Sequence, residues 1–264
     1  MPTNKYDAVI LAGGVSPWLQ QVAGTPYRAW AGILGKPMAL WIAAALLDSG
    51  KVARVLVAGP DIPVPCALPL GVDVITCGAT LMDTVDRAVA HLATQRKIIF
   101  VTDDIPMLQS AAVQDFVVAA ENLQADVCYS IVPRQAVEAA FPAARRTYVK
   151  IREGHFTGGN IFLVDPKVMP TVRRQVEEVF ARRKNILGLC RWLGFGFILK
   201  YILGTATLAS LEARVSTLFG FGGRAVITRH ASIGMDVDKI EDWRLAEKFL
   251  QGQAEEKRGN DGQN

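Results

Sequence analysis

Two adjacent carboxylates, Asp103 and Asp104, stand where the apolar run Ile98-Ile99-Phe100-Val101 stops, and Pro106 follows them closely. Oxygen donors presented together in this way suit a magnesium ion, which binds through one or two carboxylates and takes waters and substrate phosphates as its other ligands. The same residues have a purely structural use. Asp is a favoured N-cap and proline is tolerated early in a helix, so Asp104 also fits a helix start. A second acidic group, Asp236 and Asp238, carries the same pair of readings: Asp238 with Glu241 has the spacing of a helix cap, and Asp238 also suits a further oxygen ligand to a metal held by Asp104.

Other residues suit phosphate. Leu11-Ala12-Gly13-Gly14 ends the first apolar run in a turn where missing Cβ atoms let backbone N–H groups approach a ligand, and Arg28 and Lys36 follow on a long loop that would fold cations over it. The turn has neither the GxGxxG spacing of a dinucleotide fold nor the GxxxxGK[ST] of a P-loop. Gly78, with Thr80, Asp83 and Thr84 at a helix entry, suits a base or ribose and equally suits a cap. Further along, Arg146 and Lys150, in a run with Arg145 and Arg152, return through Gly158-Gly159-Asn160; this cluster fits either an acceptor phosphate or a solvated face.

These residues need elements to hold them. An apolar run without alternation predicts a central parallel strand buried on both faces, and ligands of open parallel sheets lie beyond the strands' carboxyl ends, which is where Asp103 and Asp104 fall. Around that strand the pattern predicts strands at Tyr6–Leu11, Val52–Ala58, Val72–Thr76, Asp126–Val132 and Ala225–Thr228. It predicts helices at about Met38–Leu47, Leu81–Ala93, Gln109–Asn122 and Pro166–Lys184, and a last helix ending near Leu250. An antiparallel hairpin is expected over 145–165 and a disordered polar tail over 251–264. The segment 186–221 is strongly apolar. Ile186–Gly204 is nearly long enough to span a bilayer, but Arg191 and Lys200 would each cost about 2.5–3.5 kcal/mol near the centre of a spanning helix. Core burial, a peripheral membrane contact, a dimer face and a lid for an apolar acceptor are the readings left for it.

The whole chain has 264 residues, 50% of them hydrophobic, enough for one sizeable α/β domain. Its net charge of +4 is mildly basic, without the Lys/Arg tract and interleaved aromatics of a nucleic-acid surface; a small anionic substrate accounts for it as well. Cys66, Cys77, Cys128 and Cys190 form no CxxC pair and the three histidines stand apart, which argues against zinc and for reduced thiols in the cytoplasm. No secretory signal is read in MPTNKYDAVILAGG.

From Tyr6 to Leu250 the chain resembles the nucleotidyltransferases with a GT-A-like fold, most closely the MobA-like NTP transferases, named for molybdenum-cofactor guanylyltransferase. LAGG at Leu11–Gly14 resembles that family's nucleotide loop, GKPM at Gly35–Met38 its GKPL or GRPM segment, and Asp104-Ile105-Pro106 its metal-binding DxP. Asp238 falls where the family places a second metal ligand, with Lys239 and Ile240 in place of Thr-Pro. Val15-Ser16-Pro17-Trp18 replaces the usual GxGxRM, and Arg28 stands where a lysine is common. The resemblance implies an α/β, Rossmann-like GT-A fold over a single domain at 1–250, with a mostly parallel central sheet flanked by helices. It implies a Mg2+-dependent transfer of an NMP group from an NTP to a phosphorylated or hydroxyl acceptor. Leu11, Ala12, Gly13, Gly14, Arg28, Gly78, Asp83 and Asp103 would face the nucleotide, Asp104 and Asp238 the metal, and Arg146, Lys150, Gly159 and Asn160 the acceptor, with Asp104 and Arg28 as the catalytic residues. Two other readings are a GT-A glycosyltransferase using Asp236 and Asp238 as its DxD, and a non-catalytic nucleotide-binding or membrane-associated module.

Overall fold

The computed structural model describes residues 5–182 and 203–261. Its strands are β1 (Tyr6–Leu11), β2 (Gly32–Ile33), β3 (Lys36–Pro37), β4 (Val52–Gly59), β5 (Val72–Thr76), β6 (Ile98–Thr102), β7 (Val127–Pro133), β8 (Val149–Ile151), β9 (Gly154–Val164) and β10 (Gly223–Ile227). The helices are α1 (Leu19–Ala23), α2 (Met38–Asp48), α3 (Leu81–Leu92), α4 (Ser110–Leu123), α5 (Arg134–Ala140), α6 (Met169–Arg182), α7 (Leu208–Phe219) and α8 (Ile240–Asp261). The main sheet runs β10-β7-β9-β6-β1-β4-β5, with β8 paired to β9. β1 is parallel to β4 and β6, β4 to β5, and β7 to β10; β9 runs antiparallel between β6 and β7.

The central strand has the two-sided burial its composition requires. Ile98 and Phe100 join an apolar cluster on one face with Met82, Val85 and Met169, while Ile99 and Val101 join the cluster on the other with Ile42, Phe116 and Trp243. Leu11 and Thr102 are register partners, so β1 and β6 end level and deliver Gly13-Gly14 and Asp103-Asp104 to one edge. That level ending is what makes a site.

Several elements differ from expectation. The segment after Gly14, expected as a long loop, contains α1, a 3-10 turn at Arg28–Trp30 and the β2-β3 pair. Trp18, part of the departure from the family pattern, meets Trp243 of α8 edge-on at 6.1 Å, so an aromatic contact anchors this loop. The last helix does not stop near Leu250 but runs to Asp261, because Ala254-Glu255-Glu256-Lys257-Arg258 are good helix formers with no proline among them. Of the expected apolar insertion over 186–221, residues 186–202 lie outside the described residues; the rest gives α7, capped by Thr207 and Ser210 and closed by Gly220. Among the described residues no helix is long and apolar enough to cross a membrane.

Candidate active site

Asp104 is not a helix cap. α4 begins at Ser110 after Gln109, and Asp104 lies in the turn that leaves β6. Its carboxylate is oriented at both oxygens: the Thr102 hydroxyl donates to Oδ1 at 2.6 Å, and Arg28 Nη1 donates to Oδ2 at 2.8 Å. Asp103, 2% exposed, meets the same guanidinium through Oδ1, and its Oδ2 accepts the Gly14 N–H at 3.2 Å. Burial, and then the Asp104 carboxylate, push Asp103 up to about 7, against the pull of Arg28 and the Gly14 N–H. Asp103 therefore holds the glycine loop from beneath.

Arg28 is placed by the loop it serves. Its backbone N–H donates to the Gly14 carbonyl at 3.0 Å, and its guanidinium lies so close over Gly14 that a Cβ there would come within 2.3 Å of Nε. Arg28 Nη1 also stands 3.5 Å from Asp238 Oδ1, and its Nε 3.5 Å from Asp103 Oδ1. The cap reading of Asp238 does not hold either: α8 starts at Ile240, and it is the Asp242 carboxylate that reaches back to accept the Asp238 N–H at 3.3 Å. The Asp238 side chain is free to face the site, 59% exposed. Val237 N–H donates to the Asp104 carbonyl at 2.8 Å, which ties the two acidic segments together through their backbones.

A metal is implied by the resemblance, and the donor set fits one. Asp104 Oδ2 and Asp238 Oδ1 converge on a single nitrogen of Arg28, so one cation already sits where two carboxylate oxygens meet. Two hard oxygen donors that leave room for waters and substrate phosphates are what Mg2+ uses. Among the described residues no group of three or more His, Cys, Asp or Glu is arranged as a fuller metal cage. A cavity of about 660 Å³ opens here, lined by Gly13, Gly14, Arg28, Gly78 and Asp104 at its polar end and by residues such as Phe162 at its apolar end.

Other expected contacts are engaged elsewhere. Asp83 forms a capping box with Thr80 and pairs with Arg173 at 2.8 Å; it does not line the cavity, whereas Gly78, whose N–H donates to Thr84 Oγ1, does. Lys36 lies over the Trp41 ring at 4.5 Å. The expected hairpin is present as β8-β9, with Lys150 exposed on it. Arg146, expected on the acceptor side, pairs with the Asp236 carboxylate and donates to the Asp236 carbonyl at 2.8 Å. Burial raises Asp236 to about 6, Arg146 pulls it down, and the neighbouring Asp238 and Asp104 carboxylates raise it further. Asn160 Nδ2 donates to the Ile233 carbonyl at 3.1 Å. Gly159 is buried where β7 bulges; Ser130 Oγ bonds both the N–H and the carbonyl of Ile161, and a Cβ on Gly159 would come within 2.2 Å of that hydroxyl. We expect Gly159→Ala to cost about 1–3 kcal/mol of stability through overpacking, read from the midpoint of urea unfolding, with the substrate KM values of the folded fraction unchanged.

Two features escaped the sequence reading. Thr102 carries a local signal, a hydroxyl two residues before a carboxylate, a spacing at which Ser and Thr bond their neighbours. The Arg146–Asp236 pair spans ninety residues and has none.

A glycine turn and an oriented carboxylate at level ends of neighbouring strands, in a sheet with one reversed strand, define a nucleotidyltransferase-type site on a GT-A-like fold. Residues 8–215 match the MobA-like NTP transferase domain, and the chain belongs to that family: it is a nucleotidyltransferase. A hypothetical transferase from Thermus thermophilus is 33% identical, with 90% of this chain and 99% of that one covered and a TM-score of 0.80. CMP:2-keto-3-deoxy-manno-octonic acid synthetase in complex with CTP has the same fold at 16% identity, covering 95% and 99% of the two chains, with a TM-score of 0.62. So does 2-C-methyl-D-erythritol 4-phosphate cytidylyltransferase, also from Thermus thermophilus, at 17% identity, 94% and 99% coverage and a TM-score of 0.52. A comparison with curated proteins gave no match.

Proposed function

We propose that this nucleotidyltransferase moves an NMP group from an NTP to a small phosphorylated or hydroxyl acceptor with Mg2+, releasing pyrophosphate. The observation that carries this reading is the convergence of Asp104 and Asp238 on one cation beside the glycine loop. The triphosphate lies over Gly13 and Gly14, with Asp103 fixing the loop from below. Arg28 supplies a planar fork for phosphate oxygens. Asp104, aimed by Thr102, and Asp238, aimed by the Arg146-anchored turn, hold the metal. Bound magnesium would neutralise charge developing on the phosphates, and the rest of the acceleration comes from positioning. Free thiols at Cys66, Cys77 and Cys128 support a reducing, cytoplasmic setting.

A glycosyltransferase DxD would need both Asp236 and Asp238 facing one ion. Asp236 pairs with Arg146 and not with Arg28, on which Asp104 and Asp238 converge, and this favours the nucleotidyl reading.

The role of Arg146 follows from the same contact. Arg146→Ala should lower kcat about tenfold while leaving the KM of both substrates nearly unchanged, because it loosens the turn that aims Asp238. A selective rise in acceptor KM would return Arg146 to the acceptor side. Nucleotide choice is tested by thermal unfolding with each of the four NTPs and Mg2+: one NTP should raise Tm in a concentration-dependent way, and no shift with any of them would contradict the proposal.

A further inference from the structure

We infer that Arg28 is a placeholder cation. In the nucleotide-free protein its guanidinium holds the position between Asp104 and Asp238 that a metal needs, and it yields that position when a triphosphate offers it a better anion. Metal and nucleotide then bind together, and metal alone binds poorly. The inference rests on the magnesium-dependent reading above and adds an order to it.

Three observations carry it. The first is competition for the same atoms. Nη1 is 2.8 Å from Asp104 Oδ2 and 3.5 Å from Asp238 Oδ1, while Nε is 3.5 Å from Asp103 Oδ1. One guanidinium thus faces three carboxyl groups, two of them buried, and the Asp104 and Asp238 oxygens that meet at Nη1 need a cation between them. A metal ion cannot take the Asp104 and Asp238 oxygens while Nη1 stands between them.

The second observation is that the seat is made for the arginine. The position of a Cβ on Gly14 is 2.3 Å from Arg28 Nε and 2.9 Å from Cζ, so only glycine lets the guanidinium lie there. The third is that the seat is incomplete. Arg28 Nε is buried without a hydrogen-bond partner, and the contact to Asp238 is at the outer limit of a hydrogen bond. A phosphate offers two oxygens in the geometry of the guanidinium fork, which these carboxylates do not. With 23% of its side chain exposed and the cavity beside it, Arg28 has a way out towards such an anion.

Linkage makes this measurable, because the factor by which NTP raises metal affinity equals the factor by which metal raises NTP affinity. Mn2+ binding is followed by electron paramagnetic resonance for the wild type, Arg28→Gln and Gly14→Ala, each with and without NTP, with circular dichroism as the check on folding. The wild type should bind Mn2+ weakly alone and at least about tenfold more tightly with NTP. Arg28→Gln should bind Mn2+ alone about tenfold or more tightly than the wild type, since a like charge has left the site, and it should lose most of the gain from NTP. Gly14→Ala keeps the charge but unseats the guanidinium, and should shift Mn2+ binding in the same direction. Wild-type Mn2+ affinity that is equal with and without NTP overturns the placeholder alone. So does unchanged or weaker Mn2+ binding in the folded variants. Absence of Mn2+ uptake with every NTP would overturn both the inference and the magnesium reading.

Discussion

Asp104→Asn is expected to lower nucleotidyl transfer by about 10²–10³-fold, the largest loss of any single change in this protein, while the chain still folds. The substitution keeps the volume of the side chain and its hydrogen-bond acceptor for Thr102. What disappears is the negative charge that meets Arg28 at 2.8 Å and that would fix the metal on the transferring phosphate. The loss should therefore fall on kcat in a steady-state assay at saturating NTP, with a Tm close to that of the wild type. Turnover within a few-fold of wild type would remove Asp104 from the metal site.

Asp103→Asn should raise stability at pH 8 and do much less to turnover. In the metal-free fold Asp103 is raised from 3.8 to about 7, chiefly by burial. A carboxyl raised on folding keeps its proton in the folded state at a pH where the unfolded chain has lost it. Its contribution to stability is present at low pH, is lost as pH rises from about 4 to about 7, and stays lost above that. Summed over that window the effect is on the order of 4 kcal/mol, an upper figure because water and side chains relax around a buried charge. Asn cannot ionise, and its amide oxygen can still accept the Gly14 N–H. Urea unfolding of the metal-free proteins should give similar stabilities near pH 4.5 and a more stable Asp103→Asn at pH 8. Equal pH profiles for the two would show that Asp103 is not held protonated beneath the loop.

The contrast between these neighbours marks how far the sequence could be read. Ile98 to Val101 announced a strand buried on both faces, and its abrupt end in two carboxylates placed Asp103 and Asp104 at the ligand edge, because composition and pleat are local properties. Gly13 and Gly14 were legible for the same reason. What each of the two adjacent carboxylates meets, the Gly14 N–H for Asp103 and Thr102 with Arg28 for Asp104, depends on how β1 and β6 align, and that is a long-range property. Arg146 stands in a dense run of cations and Gly159-Asn160 on the return of the same hairpin, yet the fold turns each towards a structural partner: Asp236, the bulge at Ser130, and the Ile233 carbonyl. At Thr80 and Asp83 the sequence carried the cap and the ligand reading together, and the capping box with the Arg173 pair is the geometry adopted. Past Leu250 the glycine and the polar residues suggest a tail, yet the residues after Gly252 favour helix and α8 runs on through them.

The central claim is that the Asp104–Asp238 site transfers a nucleotidyl group. It is tested most directly by product analysis with an NTP labelled at its α-phosphorus, incubated with Mg2+ and a mixture of small phosphorylated acceptors. Pyrophosphate is expected in equal amount to the label appearing in an acceptor, both abolished by Asp104→Asn. Formation of nucleoside diphosphate instead, or label transfer that survives Asp104→Asn, would contradict it.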